Sequence, residues 1–297
     1  MTTASIQAKT APVEVAGRAH PSRRRHGPRR LGLWALLVAF VLVYAFPFVY
    51  LVLTSLKRPI DTIAVPPTLL PHRVSLSNYV EALRREGVIA SFVNSVSVAT
   101  ISTGLSLLLA VPAAYGVTRY RTRAGRVFIL GVLVTRMIPA IAIGVPLVGI
   151  MHAVRLTDTP LGVALAHTTI SLPLSIWLMT SFFEAVPVEI DEAAQVDGAG
   201  RLGALIRVVL PMVSGGLAVT AIFAFLASWN EFLFALLLTA VRSQTTPIVI
   251  ANFQTQFGLE WGPMTALATL YSMPVVILAL LLQKRIVAGL SLGAVKG

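Results

Sequence analysis

The chain has no cysteine among its 297 residues. Disulfide bonds, thiolate metal ligands and cysteine nucleophiles are therefore excluded, although this absence says nothing about the redox state of the compartment. Charged residues are also scarce, because Asp, Glu, Lys and Arg make up only 12% of the sequence while hydrophobic residues make up 56%. This composition is typical of a polytopic membrane protein, in which most apolar surface faces lipid or neighbouring helices.

Complete enzyme motifs are missing as well. Lys9-Thr10 is the only Lys-Ser/Thr pair and lacks the glycines of a P-loop, so any ATP hydrolysis must come from a partner. Residues 289–293 (GLSLG) match a nucleophile elbow by chance, since neither His nor an acidic residue follows them. Ser106 with His167 could imitate an intramembrane serine protease dyad. That reading is a remote alternative, because serine is common at helix contacts.

Six hydrophobic runs organise the chain, each close to the roughly 20 residues that cross a bilayer. They cover residues 31–53, 92–115, 127–150, 161–183, 213–238 and 264–282. The first run is too long for the core of a signal peptide, and no small-x-small cleavage site follows it. We predict an all-α membrane domain of six transmembrane helices over residues 31–283, between a disordered basic tail (1–30) and a C-terminal tail (284–297).

Lysine and arginine outnumber acidic residues 24 to 12, giving a net charge of +12. The basic residues cluster beside hydrophobic runs, which favours a membrane-topology signal over nucleic-acid binding. The tail 1–30, the loops 119–126 and 187–211 and the tail 284–297 carry arginine or lysine, whereas the loops 155–160 and 239–262 each contain one basic residue. The positive-inside rule therefore predicts that both termini are cytoplasmic.

Residues 187–211 form a long polar interval that is patterned like helix. Pro187 suits a first helical position, and carboxylates follow in the first turn, where they complement the helix dipole. Gly198 and Gly200 interrupt the pattern, and Pro211 ends it. A second apolar stripe lies between these points, at Leu202, Leu205, Ile206 and Val209. The pattern predicts two short helices bent at a glycine.

The same interval resembles the EAA loop of ABC importer permeases, with Val208 in place of the usual isoleucine. The resemblance implies the type I ABC importer permease architecture. It also implies that the loop is a cytoplasmic coupling helix, which docks in a cleft of an ATPase subunit. The residues that it assigns to ATPase coupling are Glu192, Ala193, Ala194, Asp197, Gly198, Leu210 and Pro211.

Three further stretches resemble the smaller permease of maltose/trehalose-type sugar importers: Asn94-Ser95, residues 228–232 (SWNEF) and residues 287–297. The resemblance covers about residues 30–297. It implies a permease of a prokaryotic plasma membrane that moves a di- or oligosaccharide into the cytoplasm by alternating access. The implied partners are a second permease in a heterodimer, two ATPase subunits and an extracytoplasmic sugar-binding protein. No cofactor is expected in this chain, because ATP and magnesium belong to the ATPase.

Two charges lie inside the runs, Arg136 about 14 Å into the third and Glu231 in the fifth. Because an intramembrane charge is costly, it should face protein or water. We predict that Arg136, Asn230 and Glu231 line or gate the pathway, with the two charges pairing in one state of the cycle. A structural ion pair is the alternative interpretation. His167 is expected to be a packing residue, and prolines inside the runs permit broken helices.

Two further segments are candidates for contacts with partner proteins. The loop near residues 252–258 resembles in position the outer loop that reaches toward the binding protein, through Asn252, Gln254, Gln256 and Gly258. The C-terminal tail is rich in small residues, which suit an extended segment, and in the family it contacts the ATPase dimer. A stand-alone secondary transporter is the alternative function, and its ion coupling would depend on Arg136 and Glu231.

Overall fold

The computed structural model of the chain describes residues 28–120, 122–256 and 258–294. The chain divides into two compact units, Met1–Pro47 and Phe48–Gly297. The predicted disorder of the basic tail falls on residues that lie outside the described ranges, apart from its last three, which are helical. In the first unit the described residues belong to helix α1 (Pro28–Ser55), whose apolar side chains are largely exposed.

The predicted hydrophobic runs are confirmed as helices. The remaining long helices are α4 (Val88–Tyr120), α5 (Arg123–Thr135), α6 (Ala140–Ala153), α7 (Pro160–Glu184), α11 (Ser214–Trp229) and α14 (Trp261–Ala294). Shorter helices are α2 (Pro59–Thr62), α3 (Ser77–Arg84), α8 (Val188–Val196), α9 (Arg201–Ala204), α10 (Leu210–Met212), α12 (Leu233–Leu238) and α13 (Thr246–Ala251). A π-helical turn (Leu205–Val209) joins α9 to α10, and strands β1 (Gln254–Thr255) and β2 (Gly258–Leu259) form an antiparallel hairpin.

Within the described residues, four helices are long and apolar enough to cross a membrane by themselves: α1, α4, α7 and α14. Helices α5 and α6 qualify only as a pair, which is bent by 96° at residues 136–139. The segments Arg201–Met212 and Ser214–Trp229 form a second such pair, bent by 84°. The count therefore rises to six if each bent pair is one span. Pro139 marks the first break, as the prolines predicted, because it cannot donate a helical hydrogen bond.

Helices α4, α7 and α11 pack together at the centre of the second unit. Small side chains line their contacts, including Ala99 and Ala110 of α4, Ala166 of α7 and Ala224 of α11, all fully or almost fully buried. Ser171 of α7 lies with its Oγ 2.6 Å from Ser106 Oγ and 3.3 Å from Ser102 Oγ. Small residues and hydroxyl groups of this kind let transmembrane helices approach closely and hydrogen-bond across the interface.

The C-terminal tail differs from the sequence prediction. Helix α14 continues without interruption to Ala294, so the expected extended segment after Arg285 is helical. The glycines at 289 and 293 favoured an extended chain, but glycine lowers helix stability by only about 1 kcal/mol relative to alanine. A helix that is already nucleated can therefore run through them.

Asp158 connects the start of α7 to the segment that follows α12 through hydrogen bonds. The residue has a positive φ of 53°, and its carboxylate accepts hydrogen bonds from the backbone N–H groups of residues 240–243 at 3.0–3.3 Å. Its own N–H donates to Leu238 O at 2.8 Å, the last residue of α12. Although partial burial raises the pKa of the Asp158 carboxyl, these N–H groups hold that pKa well below its usual range.

We expect Asp158→Asn to lower the thermal unfolding midpoint of the purified protein by a few degrees at pH 7. Because the folded pKa is depressed, the contribution of the carboxylate is complete above the unfolded pKa of about 4 and is lost as the pH falls through the folded value. The gap between the variant and the parent should therefore narrow on acidification below about pH 4. Equal midpoints at pH 7, measured by thermal scans in detergent, would contradict this role.

Candidate functional site

The predicted two-helix loop is confirmed, with α8 as its first helix. Pro187 is the N-cap residue of α8, whereas the sequence predicted it at the first helical position. Helix α8 therefore begins one residue later than predicted, at Val188. Asp191 and Ala194 share the buried face of α8, while Glu192 and Ala193 are exposed. The EAA triplet is thus divided: its third residue packs against the bundle, and the first two face away from it.

Gly198 ends α8 in the left-handed conformation, with a φ of +87°. Ala199 N–H donates to Ala194 O at 3.0 Å, and Gly198 N–H donates to Gln195 O at 3.1 Å. This pair of bonds is the Schellman motif, which satisfies the last carbonyls of a helix and favours glycine at the residue with positive φ. A Cβ at this position would meet no atom of this chain within 4 Å. Backbone conformation, and not crowding within the chain, is therefore what requires glycine. Asp197, the C-cap residue, is exposed.

The second half of the loop packs on the ends of α4 and α7. Leu205 and Val209 are buried in a cluster with Ala114 of α4 and Met179 and Phe183 of α7. Leu210 is half-buried and Pro211 exposed. Pro211 does not end the helix as predicted, since it follows directly after the π-helical turn and lies within the continuous helical segment Arg201–Met212. The chain turns instead at Val213.

Arg119 joins three elements at this end of the bundle. Its Nε lies 2.6 Å from Asp191 Oδ2 of α8, and its Nη1 donates to Phe183 O and Val186 O at the C-terminal end of α7. Tyr115, one turn earlier on α4, donates its O–H to Asp191 Oδ1 at 2.5 Å. Both charged side chains are at least nine-tenths buried. The sequence interpretation treated Asp191 as a helix-dipole residue and missed this role, because its partners are far away in the chain.

A cavity of about 160 Å³ lies beside this ion pair. Its walls carry two cations, Arg119 and Arg201, together with the carboxylates of Asp191 and Glu192. Arg201 also donates to Tyr120 O–H and lies over that ring at 5.2 Å from its centroid. Since the charges balance, the cavity favours no ligand of one sign. Within the parts of the chain that the structure describes, no group of three or more His, Asp or Glu could hold a metal ion.

The fifth hydrophobic run is broken at residues 230–232, between α11 and α12. Glu231 is buried at the break and accepts hydrogen bonds from Phe234 N–H at 2.9 Å and Ala235 N–H at 3.2 Å. These N–H groups belong to the first turn of α12 and have no partner within the helix. Glu231 therefore caps α12, while the neighbouring Asn230 is exposed.

The expected pair of Arg136 with Glu231 does not form in this structure. Glu231 Oε2 lies 2.9 Å from His167 Nε2 of α7 instead, and Arg136 donates from Nη1 to Ile170 O at 2.7 Å. Arg136 is exposed at the break between α5 and α6. His167 is buried, as expected of a packing residue, but it also takes the place beside Glu231 that the sequence interpretation gave to Arg136.

The imitation protease dyad of Ser106 and His167 does not form either. Ser106 bonds to Ser171, whereas His167 Nδ1 lies 2.8 Å from Ser228 Oγ. Ser228, His167 and Glu231 have the composition of a catalytic triad, but each is more than nine-tenths buried, and Glu231 is already bonded to backbone N–H groups. No acyl substrate can reach the serine in this arrangement.

The predicted contact loop is an exposed hairpin. Asn252, Gln254, Gln256 and Gly258 are all exposed, and Gly258 has a φ of +119°. Arg85 braces the base of the hairpin, because its Nη1 lies 2.7 Å from Glu260 Oε2 and its guanidinium lies over the Phe253 ring at 4.4 Å. The hairpin is therefore held to the end of α3, while its polar residues stay accessible.

Comparison with known proteins decides the family. The family described as binding-protein-dependent transport system inner membrane component matches residues 103–292. The chain belongs to this family. Its members are multi-pass permeases of ABC transporters, which are transport subunits and not enzymes.

Several relatives cover most of the chain. The trehalose transport system permease protein SugB of Mycobacterium tuberculosis is 36% identical over 91% of this chain and 100% of its own length. The trehalose/maltose transport system permease protein MalG of Thermococcus litoralis is 34% identical over 89% of this chain and 95% of its own length. The sulfoquinovosyl glycerol transport system permease protein SmoH of Agrobacterium fabrum is 34% identical over 85% and 89%.

A solved structure shows the fold. A chain of a bacterial ABC transporter involved in the import of the acidic polysaccharide alginate matches with a TM-score of 0.74 at 23% identity. The match covers 90% of this chain and 99% of that chain. The predicted fold class, a type I ABC importer permease, is confirmed.

Asp191→Asn should loosen the EAA loop. The amide keeps an acceptor for Tyr115 but removes the charge that compensates buried Arg119, and breaking one partner of a buried ion pair typically costs about 3–5 kcal/mol. We expect faster trypsin cleavage after Arg201 and Arg207 and a lower thermal midpoint of the purified protein. Glu189→Gln, an exposed change on the same helix, is the matched control. Identical cleavage rates of the two variants would show that the Asp191–Arg119 ion pair does not hold the loop in place.

Proposed function

We propose that this chain is the membrane subunit of an ATP-driven importer that moves a di- or oligosaccharide into the cytoplasm. The observation that carries the proposal is the identity of 34–36% with trehalose and trehalose/maltose permeases over almost the whole chain. Its partners would be a second permease, two ATPase subunits that hold ATP and magnesium, and a sugar-binding protein outside the membrane. Both termini would face the cytoplasm, as the arginine distribution predicts.

The EAA loop would couple this chain to an ATPase subunit. Glu192 and Ala193 face away from the bundle and would meet the ATPase, together with Asp197, Gly198 and Pro211. Ala194 and Leu210 would hold the loop against its own bundle. Because Arg119 binds α8 to both α4 and α7, a displacement of α8 by the closing ATPase dimer would move the ends of these two helices together. That motion would open the bundle outward.

The break in the fifth run would line the transport pathway. In a bilayer, non-helical backbone is tolerated only where it is buried in protein or faces a water-filled cavity. Broken helices near the midplane are the usual place for substrate sites in transporters. Asn230 is exposed at one break and Arg136 at the other, so both side chains would face the partner permease or the aqueous pathway. Glu231 is buried and would keep the neighbouring Asn230 in position.

The hairpin at residues 254–259 would contact the sugar-binding protein through Asn252, Gln254, Gln256 and Gly258. These positions are exposed and lie at the end of the bundle opposite to the EAA loop in the predicted topology. One solved alginate ABC transporter of related fold is described in complex with a pentasaccharide-bound periplasmic protein. A stand-alone secondary transporter is less well supported, because Glu231 is paired with His167 and not open to an ion pathway.

Sugar uptake by the complete reconstituted importer tests this proposal. We expect ATP-dependent import of at least one of trehalose, maltose and sulfoquinovosyl glycerol, with hydrolysis stimulated by the binding protein loaded with the same sugar. Uptake that persists without ATP and follows an ion gradient would instead identify a secondary transporter.

Gly198→Val should uncouple the importer. Valine resists the positive φ that the Schellman turn needs, so the second half of the loop would be misplaced relative to α8. We expect a membrane-inserted complex that loses its ATPase on purification, or that hydrolyses ATP with at least about tenfold less sugar uptake.

Gly200→Val is the matched control, because Gly200 has a φ of −63° and open space around it. It makes the same chemical change two residues later without backbone strain. Normal uptake by Gly198→Val, with the ATPase still bound, would count against the coupling role.

A further inference from the structure

Helix α12 is connected to α7 by polar contacts at both of its ends. At its start, Glu231 caps the first turn and lies 2.9 Å from His167 on α7. At its end, Leu238 O accepts from Asp158 N–H, two residues before α7 begins. A helix of six residues cannot hold its own geometry, because helices this short are unstable in isolation. These two attachments therefore set where α12 lies.

His167 uses both ring nitrogens at this attachment. An ionised carboxylate only accepts hydrogen bonds, so Nε2, next to Glu231 Oε2, is the nitrogen that carries a proton. Nδ1 then accepts from the Ser228 hydroxyl at 2.8 Å in the neutral ring. Ser228 lies on α11 and Glu231 at the break, so His167 contacts the chain on both sides of the exposed Asn230.

Two polar side chains near this cluster are already engaged with other partners. Ser228, His167 and Glu231 are buried, so water does not compete for their hydrogen bonds. Tyr271 of α14 donates its O–H to Trp229 O, and Arg136 donates to Ile170 O, so these two side chains are engaged on neighbouring carbonyls. Loss of the imidazole would therefore remove the side chain that the structure places against the Glu231 carboxylate, which keeps its bonds to the backbone N–H groups of α12.

We propose that His167 is a positioning residue for transport. Through Glu231 and Ser228 it fixes both sides of the break and thereby the orientation in which Asn230 faces the pathway. The inference rests on the proposed pathway role of Asn230. His167 itself touches no substrate.

The absence of cysteine supplies a direct test. Asn230→Cys places one thiol in this chain, and its labelling by a membrane-impermeant methanethiosulfonate reagent, followed as a gel shift of this subunit, reports its access to water. The assay uses membranes that contain the complete importer. His167→Leu should change the labelling rate at the exposed position 230 several-fold, because the break would no longer be held in one orientation relative to the pathway.

His167→Gln should retain most of the parent rate, since its amide can donate to Glu231 and accept from Ser228. Should His167→Leu fail to assemble, Ser228→Ala serves as a milder variant, with a smaller change in labelling rate expected. Ser175→Ala is its matched control, because Ser175 is equally buried on α7 but bonds only to Ser171 O of its own helix.

The outcomes separate the two ideas. Labelling at one rate in the parent, His167→Leu and Ser228→Ala backgrounds would overturn the positioning role and leave the pathway proposal intact. An equal change of labelling rate in Ser175→Ala would also overturn it, since general loosening would then explain the change. No labelling of the cysteine at position 230 in any background would refute the pathway role of Asn230 and the inference with it.

Discussion

The unpaired backbone groups at helix ends are the constraint on which this structure depends. Neither lipid nor a buried protein interior offers water, so each N–H or C=O released where a helix stops in either place must find a partner inside the protein. Charged side chains supply that partner at three points: Glu231 at the start of α12, Arg119 at the end of α7 and Asp158 after α12. Each of them joins elements that are far apart in the chain. The connections between helices therefore hold the bundle together beside its apolar contacts.

Much of this fold could be predicted from the sequence, because membrane helices are encoded locally by hydrophobicity and length. The hydrophobic runs predicted most helix ends to within a few residues. The glycine between two helical patterns predicted the bend at Gly198. The breaks were harder to predict. Pro112, Pro173 and Pro274 lie inside continuous helices, while the break at residues 230–232 contains no proline. It is stabilised instead by a carboxylate whose partner lies on another helix.

The candidate site shows the same division. The resemblance located the EAA loop, but the sequence did not predict that Glu192 and Ala193 face away from the bundle while Ala194 packs against it. Asp191 could not be paired with Tyr115 from the sequence, because the two are 76 positions apart and no local pattern connects them, and the same holds for its ion pair with Arg119. His167 and Ser228, 61 positions apart, present the same difficulty. Hydrophobic periodicity reports which face of a helix is buried, and only tertiary packing determines which polar groups meet there.

The contact between α4 and α7 has a mechanical consequence. Ser102 and Ser106 are one helical turn apart on α4, and both lie within hydrogen-bond distance of the single hydroxyl of Ser171. A displacement of α7 along α4 would exchange one serine for the other and would not strip Ser171 of its partner. At this level of the bundle, the hydroxyl groups therefore keep the two helices joined through a small axial shift, whereas Arg119 and the Tyr115–Phe183 contact fix their ends.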